Sequence, residues 1–203
     1  SGAKLAHGLG VAPDYAFFKR INSDGNNWIA PSTSLESNWD FFLHNNLASG
    51  YTDSASEFAD TAPDAVNLTL GDAATTNQVG DEYLAYCWTS IKGFSRFSKY
   101  KGDGQNDGSF VFTGFRLSLL ITKRNNTSQN WRMYISSGFN NYQGMIHENL
   151  DNAQSVDNRC DFLANGFKWK DNSGDHNADG ATYIYGAWGQ PLVSTSGKPG
   201  TAN

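Results

Sequence analysis

Asn177-Ala-Asp-Gly180-Ala-Thr-Tyr183-Ile-Tyr-Gly-Ala-Trp188 stands near the end of the chain, and Asn77-Gln-Val-Gly80-Asp-Glu-Tyr83-Leu-Ala-Tyr-Cys-Trp88 stands a hundred residues earlier. Asn, Gly, Tyr and Trp recur at the same offsets, and Leu84 answers Ile184. Each stretch reads as a turn whose Gly can take positive φ, feeding an aromatic and apolar run of strand character. The chain is therefore expected to be one unit written twice. The carboxylates of the motif vary between copies while Asn, Gly, Tyr and Trp do not, so the motif is frame rather than site.

The flanking segments repeat too. Tyr15-Ala-Phe17-Phe-Lys-Arg20 and Leu119-Leu-Ile-Thr-Lys123-Arg124 both end in Lys-Arg, cross a polar turn and reach a Trp, Trp28 or Trp131. This predicts a strand, turn, strand hairpin in each half. Phe162-Leu-Ala-Asn165-Gly166-Phe167-Lys-Trp169-Lys places Asn-Gly between apolar runs, a tight-turn signal followed by period-two alternation. Its first-half counterpart is Val66-Asn-Leu68-Thr-Leu70. The junction from Gly93 to Gly114 reads as strands joined by a tight Gly/Asp loop, and couples the halves closely. Gly2 and Gly8 answer Gly108 and Gly114, so the chain is expected to begin in mid-motif, as a piece of a longer repeat protein. The middles, residues 32–66 and 136–160, read as diverged, with Asn38 to His44 expected as a strand with aromatics on both faces and a long surface loop from Ala48 to Asp64.

Aromatics make up 14% of the 203 residues, Gly numbers 21, and charged residues are 17% with a net charge of −5. Turn residues between aromatic and β-branched runs make an all-β composition. A clustered basic surface is missing, which argues against nucleic acid as a partner. With no apolar run of about 18 residues, no membrane-inserted helix is expected. Two cysteines make no disulfide framework. Cys87 stands where the other copy has Ala187 and reads as a small buried side chain, with a Cys87–Cys160 bridge the less favoured alternative.

The expected architecture is a tandem of β-sandwich or jelly-roll-like units, residues 1–100 and 101–191, followed by a tail over 192–203. The alternative is a single concanavalin-like sandwich built from both halves.

Several pieces together resemble a known family: His7-Gly-Leu-Gly-Val-Ala-Pro13, Tyr83-Leu-Ala-Tyr-Cys87, Gly93-Phe-Ser-Arg-Phe97, and Tyr100-x-Gly-x-Gly-x-x-Asp107-Gly-x-Phe-Val-x-Thr-Gly-Phe115. With Ile121-Thr-Lys-Arg124, Phe162-Leu-Ala-Asn-Gly-Phe167 and Asn177-x-x-Gly180-x-x-Tyr-Ile-Tyr, they are similar to repeat domains of tail-fibre-like proteins of bacteriophages, especially marine ones and those of cyanobacteria. Leu117 departs from the pattern, where the family has Pro. The resemblance implies a non-enzymatic structural and adhesive module in a virion appendage, extracellular and contacting a host-surface glycan or receptor. It also implies other fibre subunits as partners, in a homo-oligomer such as a trimer.

Asp175-His-Asn177-Ala-Asp179-Gly180 matches the opening of a calcium loop, whose alternating oxygens wrap a hard cation. Asp175, Asn177 and Asp179 are therefore calcium candidates, against the plainer reading of a polar turn that needs Asx and Gly. The Glu that would close the loop is absent; Gly186 stands there. A calcium-assisted lectin is the alternative function. Trp39, Tyr51, Phe139 and Tyr142 lie in the unshared segments and are candidate sugar-stacking rings, against core packing. His147-Glu-Asn-Leu-Asp151 lacks the second His of a zinc protease helix. The carboxylate pairs Glu36/Asp40, Glu57/Asp60 and Glu148/Asp151 are the candidates for a glycan hydrolase, the least favoured reading.

Overall fold

A computed structural model describes residues 2–35, 39–139 and 142–189, with the side chains of 137–139, 142 and 143 outside that description. The chain is almost entirely antiparallel β-structure and divides into two compact units. The first comprises Ser1–Thr89 with Asn125–Ser128, and the second Ser90–Arg124 with Gln129–Asn203. The boundary thus falls before the junction strand Ser95–Lys101, which belongs wholly to the second unit rather than closing the first.

In the first unit, strands β1 (Ala3–Ala6), β2 (Tyr15–Arg20), β3 (Ile29–Pro31), β4 (Phe41–His44) and β5 (Thr52–Asp53) precede a one-turn helix, α1 (Ala55–Phe58). Strands β6 (Asn67–Leu70) and β7 (Tyr83–Trp88) follow. One sheet runs β5-β4-β3-β2-β7, and β1 pairs with β6 in a second. Alternation along β2 turns Ala16 and Phe18 inward, where they meet Ile29, Phe42, Leu68, Leu70 and Phe58. Because that core draws on both sheets, the unit is a β-sandwich.

The second unit adds β8 (Ser95–Lys101), β9 (Phe110–Phe112), β10 (Leu117–Arg124), β11 (Arg132–Phe139) and β12 (Tyr142–Ile146). It ends with β13 (Ser155–Asp157), β14 (Cys160–Leu163), β15 (Gly166–Trp169) and β16 (Thr182–Gly189). Its sheets run β13-β12-β11-β10-β16-β8 and β14-β15-β9. Leu120, Tyr134, Tyr183, Tyr185 and Ala187 from the first pack on Val111, Cys160, Phe167 and Trp169 from the second.

The duplication holds strand by strand. Gly2 N–H donates to the Leu70 carbonyl and Gly108 N–H to the Trp169 carbonyl, so β1 answers β9 and β6 answers β15. The β14–β15 turn is Ala164-Asn165, flanked by the Leu163–Gly166 pair. Phe167 and Trp169 are buried while Lys168 and Lys170 are not, as period two requires.

Three expectations need correction. The junction strands β8 and β9 form no hairpin; they belong to different sheets. The stretch from Ala48 to Asp64 is not all loop. It holds β5 and α1, whose Ser54 cap accepts from the Ser56 N–H and whose Phe58 is buried in the core. The segment from Asn38 to His44 is not one strand: β4 begins at Phe41, and Trp39 sits at φ 60°. Both thiols are free, Cys87 half-buried and Cys160 buried.

Candidate functional site

The repeated motif is built identically in both units. Asn77 Nδ2 donates to the Gly71 carbonyl, and Asn177 Nδ2 to the Asp171 carbonyl. Tyr83 Oη donates to the Ala74 carbonyl and accepts from the Gln78 N–H; Tyr183 Oη does the same between Gly174 and Ala178. Gly80 and Gly180 take φ of 83° and 66°, a region that an L side chain enters at a cost. The motif is a loop clamp. An Asn, buried in the second unit and half-buried in the first, ties one side and a Tyr hydroxyl the other.

That clamp occupies the calcium candidates. Asn177 is fully buried; its carboxamide also donates to Asp103 Oδ1 and the Gln105 carbonyl, and its oxygen accepts from the Asp103 N–H. Asp175 is ion-paired to Arg132, and Asp179 is exposed. The structure therefore spends the first two on protein contacts and leaves the third at the surface. Among the described residues, no group of three or more His, Cys, Asp and Glu is arranged to hold a metal.

Around the second clamp runs a charged chain that the first unit lacks. Arg132 joins Asp175 and Asp157, and Arg159 reaches Asp157 and Asp171 at 4.0 and 3.3 Å. Asp171 accepts from His176, whose ring stacks on Trp169 at 4.2 Å. The first unit has Ile29 where the second has Arg132, and Gly71, Thr75 and Thr76 where it has Asp171, Asp175 and His176. The ionic members are thus present together or replaced together, as expected when an unpaired buried charge is costly. Burial holds the His176 pKa down despite the opposing pull of Asp171. The neutral ring donates from Nε2, and its buried Nδ1 has no partner that would welcome a second proton. The His176 ring has no solvent exposure, while Asp171 keeps part of its carboxylate at the surface, so the imidazole itself reaches no substrate.

The aromatic candidates divide. Trp39 is withdrawn as a sugar platform: at 1% exposure it packs edge-to-face on Phe58 at 5.3 Å, inside the core. Tyr51 is 42% exposed and packs edge-to-face on Phe41 at 4.9 Å, which leaves part of its ring for a ligand. Phe139 and Tyr142 oppose each other in the β11–β12 ladder, and their side chains lie outside the described part. Among the hydrolase candidates, Glu36 lies outside the described residues. Glu57 lies in the helical turn α1, which precedes the exposed Asp60, and Asp151 is exposed beyond His147-Glu-Asn-Leu150.

A more continuous aromatic surface includes Trp88 of the repeated motif. On the outward face of the first unit's sheet, Tyr86 stacks on Trp88 at 6.0 Å and Trp88 meets Phe17 edge-to-face at 5.2 Å. Phe17 in turn meets Trp28 at 6.5 Å. Tyr86 is 47% exposed, and Phe17, Trp28 and Trp88 are partly so. The signal in the sequence was Tyr86 against Gly186. In the second unit Trp188 and Phe97 fill the space where a Cβ on Gly186 would lie, at 2.9 and 3.1 Å. A side chain as large as Tyr86 can stand only in the first copy. A second exposed pair, Phe110 and Phe112, points outward from β9 while Val111 points in.

A second latch is repeated in both units. The Trp28 N–H donates to Asn46 Oδ1, whose Nδ2 donates to Asn27. Trp131, Asn149 and Asn130 repeat this at 2.9 and 2.8 Å. Its mark is His44-x-Asn46-Leu47 against His147-x-Asn149-Leu150, within segments that look diverged.

A family model for a domain of unknown function, DUF7483, matches residues 1–191. The chain belongs to the DUF7483 family. That match spans both units, so the DUF7483 domain is the duplicated pair rather than a single sandwich. No curated protein and no solved structure matches the chain.

Proposed function

We propose that this DUF7483 chain is a non-enzymatic structural and adhesive module of a phage tail fibre or similar virion appendage, contacting a host-surface glycan. The observation that carries the adhesive part is the outward row Tyr86–Trp88–Phe17–Trp28, four linked rings from β7, β2 and the residue just before β3. Flat apolar faces held by a rigid sheet suit the apolar face of a sugar ring, and aromatic contacts of this kind carry much of the energy at binding surfaces. The row rests on packed β-structure and asks no metal for its geometry. Calcium-independent binding is therefore the favoured form, since Asp175 and Asn177 are engaged elsewhere.

A glycan array of bacterial surface polysaccharides tests the reading, run with and without EDTA. Binding should survive the chelator and fall about tenfold or more in Tyr86→Ala, while Tyr51→Ala tests the smaller Phe41–Tyr51 patch. Binding lost with EDTA would favour the calcium-assisted lectin. Release of new reducing ends would establish a hydrolase. No binding to any bacterial polysaccharide would sink the adhesive reading.

A further inference from the structure

The second unit carries an exposed aromatic pair of its own. Phe110 and Phe112 project from the outward face of β9 at 46% and 54% exposure, while Val111 between them is buried in the core. Both rings lean on glycine. A Cβ on Gly166 would lie 3.0 Å from the Phe110 ring, and one on Gly114 3.6 Å from the Phe112 ring. At Gly166 even a methyl group would crowd the ring above it, so glycine is what lets Phe110 lie low on the sheet. Folding does not ask for this pair. The equivalent positions of β1 hold Lys4 and Ala6, with Lys4 Nζ donating to Thr69 Oγ1 at 2.7 Å.

The lysines beside the rings are neutralised within the unit. Lys168, which opposes Phe110 in the ladder, meets Asp107 at 2.6 Å, and Lys170 meets Asp161 at 3.1 Å. Arg96 is placed differently. It reaches across from β8, half-buried, with its guanidinium over the Phe112 ring at 6.0 Å from the centroid and hydrogen-bonded to the Tyr185 hydroxyl. Among the described residues, no carboxylate pairs with it. A guanidinium offers five N–H donors in a planar fork that matches a carboxylate, and one hydroxyl and a π face leave most of them over.

The two features together narrow the ligand. Flat apolar rings suit the C–H face of a sugar, and the arginine adds a demand for an anion beside that face. One arginine in a chain of net charge −5 does not suit nucleic acid, whose binding rests on many phosphate contacts.

We propose that Phe110, Phe112 and Arg96 form a second glycan site, between β8 and β9, for a sugar residue that bears a carboxylate. The rings stack on the apolar face of the sugar, and the Arg96 guanidinium takes its carboxylate. The site lies wholly in the second unit and shares no residue with the Tyr86 row, so either can fail while the other stands.

The probes are tetrasaccharides of galacturonate, glucuronate and mannuronate, each with its methyl ester, added to the intact chain labelled with 15N. At least one of the acids is expected to give saturable shifts at the Arg96, Val111 and Phe112 amides. Its methyl ester is the same sugar without the charge, and should bind the unaltered protein about tenfold or more weakly. Arg96→Gln should lose a similar factor, and Arg96→Lys should recover only part of it, because the charge returns without the fork. Phe112→Ala, an exposed change to the residue of the first unit, should also weaken binding about tenfold, whereas Tyr86→Ala should leave it unchanged. The proposal is overturned if none of the three acids binds, if ester and acid bind alike, or if the shifts lie elsewhere. Self-association of the chain that Phe112→Ala abolishes would also overturn it, by making this face a contact between copies.

Discussion

Asn177 shows how much one buried side chain can hold. Its carboxamide satisfies backbone or side-chain groups of Asp103, Gln105 and Asp171, joining the junction loop to the clamp. Asn177→Ala strands those partners in a buried site and should cost about 2–3 kcal/mol in urea unfolding, whereas Asp179→Ala at the exposed neighbour should change little. His176 adds a pH dependence. Its folded pKa lies below the usual 6.5 because burial outweighs the Asp171 charge. As pH falls through 6.5 the unfolded chain takes up the proton first, so stability present above that pH is lost progressively below it. Imidazole NMR should place the His176 midpoint below 6.5, and His176→Thr, which installs the residue of the first unit, should flatten this part of the acid limb. The sequence carried Asn177 and its role as frame, since the residue recurs with Gly and Tyr at fixed spacing. It did not carry the His176–Asp171 pair or the Arg132 network, because ionic contacts between distant segments leave no period in a single chain.

At the scale of the element, repetition was the legible signal and burial the illegible one. Period-two alternation placed Phe167 and Trp169 inward, and the offset of the two Lys-Arg hairpins made β2 and β10 counterparts in the two units. Trp39 misled because an aromatic next to an apolar strand has the same composition whether it faces a core or a sugar. The short helix α1 was missed although Ser54-Ala-Ser-Glu57 has the form of a capping box. One turn is too short to show helical periodicity. The Asn46 and Asn149 latches tie the start of β3 to the end of β4 and the start of β11 to the end of β12 through the same pair of bonds. Asn46→Ala and Asn149→Ala should therefore destabilise the chain by similar amounts, about 1–2 kcal/mol each by thermal unfolding, and a cost confined to one of them would break the equivalence.

For the molecule as a whole, duplication explains why the differences matter more than the shared parts. Both units keep the clamp, the latch and the hairpins, so those features answer to folding. What one unit has and the other lacks is the outward Tyr86 and the ionic network of Arg132. The Asx-rich loop, which in sequence most resembled a cofactor site, proves to be among the shared parts in everything except its charges. Those charges are held by arginine. Arg132 contacts both Asp157 and Asp175 with its own side chain nearly buried. A cation entering the loop would have to strip Asp175 from that arginine and leave a buried positive charge with one partner fewer, at a cost of several kcal/mol. EDTA is therefore expected to leave the thermal midpoint unchanged, and millimolar calcium to raise it by no more than about 1 °C, since binding to the folded state alone would stabilise it by mass action. Arg132→Met should lower the midpoint by several degrees, because it leaves Asp157 and Asp175 without their arginine. If calcium restored that loss in the variant, the loop would be a cation site that arginine has taken over; if not, the network is structural throughout.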